Sequence, residues 1–93
     1  RQAHREKSED TSVLWRLGTF NMEARRFQRS RNYLGQLVEL EPNNVEALVR
    51  LSFVNGQMGK YERAAELAKR ALELEPKNTA ARDQYTLYRW QSR

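Results

Sequence analysis

The sequence predicts an all-α fold, a solenoid of five helices arranged as antiparallel pairs, and three observations predict it. The phrase Glu39-Leu40-Glu41-Pro42-Asn43-Asn44 returns 34 residues later as Glu73-Leu74-Glu75-Pro76-Lys77-Asn78. Periods of roughly 20–50 residues mark stacked supersecondary units rather than compact enzyme folds. Aligning 11–44 with 45–78 needs no gap and makes ten of 34 positions identical, among them Leu14/Leu48, Arg16/Arg50, Leu17/Leu51 and Arg29/Arg63. Apolar residues within a unit are spaced by three and four, as in Tyr61, Ala64, Ala65, Ala68, Ala71 and Leu72, the period of a helix with one buried face.

Residues 1–10 are polar and read as a solvated tail or the end of a preceding segment. Asp10, Asn44 and Asn78 recur at the repeat period, each just ahead of a helical pattern. Asp and Asn are preferred N-caps because their side-chain oxygens accept from otherwise unpaired N–H groups, so helices are expected to start at about 11, 45 and 79. In the first helix Leu14, Leu17 and Asn21 share one face. Gly59-Lys60 ends the third helix, since Gly takes the left-handed conformation past a helix end without strain. Arg25-Arg26 stands in the same place in the first unit, where the turn is less well specified. Phe27 and Tyr61 open the second helix of each pair, and those helices run to Leu40 and Leu74. Pro42 and Pro76 then forbid continuation. The expected division is a tail at 1–10, repeats at 11–44 and 45–78, and a capping helix at 79–93. No strand pattern competes.

Composition narrows the function. The 93 residues make at most one small domain, with 39% hydrophobic residues for a core. The absence of Cys excludes disulfides and thiolate metal sites. No apolar run approaches the roughly 20 residues of a membrane span. A net charge of +5 favours acidic partners but speaks to association rather than fold. The chain opens on Arg1-Gln2-Ala3-His4 without Met and reads as a fragment of something longer.

Helices that approach closely within a pair need small residues at the crossing. Gly18, Ser52 and Thr86 lie at one such register, and Ser30 and Ala64 at another. Taken with the 34-residue period, Leu14, Leu17-Gly18, Phe27 or Tyr61, Ala64, Ala71 and the Pro42/Pro76 stops, the chain resembles the tetratricopeptide repeat (TPR) family. The second unit matches closely. The first is looser, with Leu37 for a usual small residue, Gly35 inside its second helix, and Asn21 (like Asn55) for a usual aromatic. Pentatricopeptide repeats run slightly longer and lack the Pro-Asn junction, and Sel1-like repeats are longer and richer in Gly and Ala. The resemblance implies a right-handed superhelix of two repeats and a capping helix, with the first helix of each pair lining a concave groove.

On that implied face stand Trp15, Arg16 and Thr19, then Val49, Arg50, Phe53 and Gln57, then Gln84 and Leu87. Residues 34 apart should stack as ladders: Arg16, Arg50 and Gln84 in one, Thr19, Phe53 and Leu87 in another. Arg holds a carboxylate in a bidentate fork, and buried aromatics carry most binding energy at hot spots. The expected role is therefore a non-enzymatic scaffold binding a peptide segment of a protein partner, acidic or carboxylate-bearing. Trp15 and Thr19 occupy positions where the chaperone-binding members of the family carry a clamp Lys and Asn, so a chaperone tail is not the expected ligand. An alternative is self-assembly into a homo-oligomer through exposed solenoid ends, with Trp90 as a stacking residue. A third is RNA binding through Arg82, Tyr85, Tyr88, Arg89, Trp90 and Arg93, the less favoured since a capping helix needs aromatics inside and charges outside.

Catalysis has the least support. His4, the single histidine, lies in the polar tail with no nucleophile beside it, and no Gly-rich phosphate loop or metal-ligand spacing occurs. Glu39, Glu41, Glu73 and Glu75 flank helix ends as solvated charges. No catalytic residue, metal or cofactor is expected.

Overall fold

A computed structural model describes the backbone of residues 2–93 and the side chains from Asp10 onward. Among the described residues the chain forms five α-helices and no strand: α1 (Gln2–Glu23), α2 (Phe27–Leu40), α3 (Val45–Gln57), α4 (Tyr61–Leu74) and α5 (Thr79–Gln91). Consecutive helices pack against one another, and α3 also touches α1 and α5. The central helix is thus covered from several sides, and the core gathers around it: Leu34, Leu37, Leu48, Val54, Leu67 and Ala71 are all buried.

The returning phrase builds the junctions. Asn44 accepts from the Ala47 N–H at 3.1 Å and donates its own amide to Glu41 at 2.9 Å. Asn78 repeats both bonds, with the Ala81 N–H at 2.9 Å and Glu75 at 3.1 Å. One carboxamide therefore caps the new helix and ties it to the residue that ends the old one; such a cap contributes about 1 kcal/mol. Asp10 has no such role, which corrects the expected helix start near 11: α1 runs through it from Gln2. Ser8 stands where the later junctions have Pro42 and Pro76. With no proline break, the strong helix formers between Gln2 and Glu9 continue the helix instead of ending one.

Within each pair the helices cross through small residues. The Ser30 hydroxyl donates to the Gly18 carbonyl at 2.7 Å, and the Ser52 hydroxyl to the Ala64 carbonyl, also at 2.7 Å. These are the same two repeat positions, with the hydroxyl supplied by the second helix in one unit and by the first helix in the other. The approach leaves no slack, because a Cβ on Gly18 would stand 2.6 Å from Leu34 Cδ2.

The turns between α1 and α2 and between α3 and α4 are also equivalent. Arg26 N–H donates to the Asn21 carbonyl and Arg25 N–H to the Met22 carbonyl; Lys60 and Gly59 do the same to Asn55 and Gly56. This is the Schellman pattern of bonds past a helix end. It places Gly59 at φ 79° and Arg25 at φ 63°. Tertiary packing holds the first turn in the left-handed geometry even though an arginine stands there. A side chain in that region costs about 1 kcal/mol. Arg25→Gly should accordingly raise stability by up to about 1 kcal/mol, several degrees of melting temperature for a domain this size. Gly59→Arg should lower it by a similar amount. Thermal unfolding followed by circular dichroism measures both, and equal melting temperatures across the set would contradict the turn assignment.

Candidate functional site

Of the residues expected on the face, Trp15 of α1 meets Arg50 of α3, and Phe53 of α3 meets Phe27 of α2. Across the two repeats, the Arg50 guanidinium sits over the half-buried Trp15 ring, 5.7 Å from its centroid. Beside it Phe53 meets Phe27 edge to face, with centroids 6.4 Å apart and rings at 74°. The Arg25 guanidinium lies 5.5 Å over the far side of that aromatic pair, on Phe27. Trp15, Met22, Phe27 and Phe53 are partly buried hydrophobics packed on the main core. The result is a strip of aromatic surface rooted in the core and flanked by exposed guanidinium groups.

The other expected residues fall differently. Arg16 is exposed, and among the described residues neither it nor Arg50 has an ion pair. The Arg50 contact with Trp15 runs diagonally between the repeats, where the ring face attracts the cation. Thr19 turns its hydroxyl back onto the Trp15 carbonyl at 2.8 Å, so its oxygen is engaged with its own helix. Val49 is only 7% exposed and joins the core, a correction to its expected place on the open face. Its helix is the central one, and packing reaches further around it than around α1. Leu87 is open, at 46% exposure. Gln84 is half-buried, and its Oε1 is enclosed without a hydrogen-bond partner among the described residues.

Gln57 is exposed. On the neighbouring helix, burial pushes the Tyr88 phenol above its usual pKa, an effect that Gln57 partly offsets and nearby Tyr61 adds to. Tyr88 stacks on Tyr61 at 6.2 Å and 18°, and a Cβ on Gly56 would clash with the hydroxyl end of the Tyr88 ring. These residues lock α5 onto α3 and α4. The signal for Phe27 was visible in the sequence, since it stands at the repeat position of Tyr61, but helix-opening was the only role it suggested.

At the C-terminal end Trp90 is 67% exposed, with the Arg93 guanidinium 4.8 Å over its ring. Val13 and Phe20 are exposed on α1, at 43% and 59%. Among the described residues no group of His, Cys, Asp and Glu could hold a metal ion, and no helix is long and apolar enough to cross a membrane.

Helix pairs crossed through small residues and stacked in a fixed register define a helical-repeat protein. Residues 45–78 match the model of the tetratricopeptide repeat family, and the five helices fit two such repeats followed by a capping helix. Among solved structures, the chain is similar to the C-terminal TPR-containing domain of a Plasmodium falciparum FK506-binding protein. Identity is 26%, the TM-score is 0.84, and the match covers 92% of this chain and 57% of that one. This chain thus spans little more than half the length of that domain. No curated protein matches it in sequence. Tetratricopeptide repeats are generally protein–protein interaction modules, and the family is a non-catalytic fold.

Proposed function

We propose that this chain is a non-enzymatic scaffold that docks a short segment of a protein partner along the Trp15–Arg50–Phe53 face. The observation that carries this reading is Arg50, exposed, poised over Trp15 and without a carboxylate of its own among the described residues. A guanidinium oriented by a ring keeps its fork of donors for a carboxylate. The Phe27–Phe53 pair next to it offers rigid apolar area, the kind of surface that anchors binding hot spots. The segment it suits carries an acidic group close to one or two apolar side chains. Leu87 and the half-buried Gln84 extend the same face on α5, and Arg16 adds a second positive charge at its edge.

Selection of short random peptides against the protein should enrich acidic sequences with an apolar neighbour. Arg50→Ala combined with Phe53→Ala should weaken the enriched peptides by at least about tenfold, since a truncated hot spot costs 2 kcal/mol or more, while helicity stays unchanged. Undiminished binding to the double variant would place the site elsewhere.

A second reading is association of copies through the solenoid ends, favoured by the exposure of Trp90 at one end and Phe20 at the other. Two repeats and a helix are close to the minimum that buries a continuous core. Sedimentation should then become concentration-dependent and lose that dependence in Trp90→Ser. A monomer at every concentration removes this reading.

A further inference from the structure

Successive helices alternate in direction, so the turns after α1 and α3 and the C-terminal end of α5 fall along one edge of the solenoid. The two Pro-Asn junctions fall along the other. Gly59, Lys60 and Arg63 share a surface depression with Gln91 and Ser92, which joins the second turn to the end of α5. The two edges carry opposite charge. On the turn edge stand Arg25, Arg26 and Arg29, then Lys60 and Arg63, then Arg89 and Arg93, against Glu23 and Glu62. The junction edge carries Glu39, Glu41 and Glu46, then Glu73 and Glu75, against Lys77.

Every cation on the turn edge is exposed. Among the described residues only Arg63 of that set has an ion pair, with Glu66 at 3.3 Å. At each end of the edge an exposed aromatic ring stands with two of the arginines. Phe20, in the last turn of α1, shares a depression with Arg26 and Arg29. Trp90, in the last turn of α5, shares another with Arg89 and Arg93.

Cations drawn from three separate turns and left without carboxylates act together as a field along one edge. The acidic edge behind them gives that field a direction, because a broad anionic surface attracts one side of the molecule and repels the other. The rings select among anionic surfaces. A nucleic-acid strand is held by aromatics spaced along its track for successive bases, whereas Phe20 and Trp90 stand at opposite ends of the solenoid. A ring flanked by cations suits a lipid surface, where the ring settles at the headgroup level and the cations face the anionic groups.

We propose that the turn edge docks on a membrane surface rich in anionic lipid, with Arg26, Arg29, Lys60 and Arg63 over the headgroups and Phe20 and Trp90 seated among them at either end. The contact uses none of Trp15, Arg50 and Phe53, so it stands independently of the peptide-binding reading.

The test is co-sedimentation with phosphatidylcholine vesicles holding about 30% phosphatidylserine, against phosphatidylcholine alone, at about 0.1 M salt. Binding should require phosphatidylserine. Arg26→Glu with Arg29→Glu should weaken it at least about tenfold, with helicity retained because carboxylates are favoured in the first turn of a helix. Lys69→Glu with Arg70→Glu makes the same change of net charge in the half of α4 nearer the acidic edge, and should weaken it far less. Phe20→Ser with Trp90→Ser should weaken it several-fold, since apolar burial adds to the electrostatic attraction. No binding to the mixed vesicles, or equal losses from the two charge variants, would overturn the proposal. So would binding indifferent to the loss of both rings, or a uridine oligonucleotide that displaces the protein from the vesicles at equal phosphate concentration.

Discussion

At each junction between repeats a single asparagine bonds in two directions, taking the N–H three residues ahead and giving its amide to the glutamate three residues behind. The proline between them stops the old helix, and the asparagine starts the new one. Because the junction fixes both events within a few residues, the distance from one helix start to the next is set by sequence length alone. Equivalent side chains then come round to equivalent places. The serine bonds at the helix crossings and the Schellman turns inherit that regularity, and so does the surface on which Trp15 and Arg50 meet.

Helix type, order and boundaries were legible in the sequence because each rests on local chemistry. Pro42, Pro76, Asn44, Asn78 and Gly59 act within a turn of where they stand. The start of α1 was misread for the complementary reason: Asp10 shares the repeat position of the capping asparagines but lacks the proline that makes a cap necessary. A cap residue without a break before it is an ordinary helical residue. The first turn shows the reverse case. Arg25 lacks the conformational freedom of Gly59 yet takes the same left-handed geometry, so the fold imposes at one repeat what the residue itself favours at the other.

The contacts among the residues expected on the face were not legible in the sequence. A period of 34 predicts which backbone positions align, whereas side-chain length decides which atoms meet. Arg50 is long enough to cross to Trp15 on the neighbouring repeat. Val49 is short and sits on the most enclosed helix, so it turns into the core. Phe27 comes from the second helix of a pair, and no reading of the first helices alone would have placed it beside Phe53.

The account depends most on the docking of α1 against α3 in this register, and the Trp15–Arg50 contact reports it directly. The measurement is the NMR shift of the Arg50 side-chain protons, with nuclear Overhauser effects to the Trp15 indole. Ring currents should move those protons upfield, cross-peaks to the indole should be present, and Trp15→Leu should return the shifts to ordinary values. Arg50 protons at ordinary shifts in the unsubstituted protein, without cross-peaks to Trp15, would contradict the register and the binding face built on it.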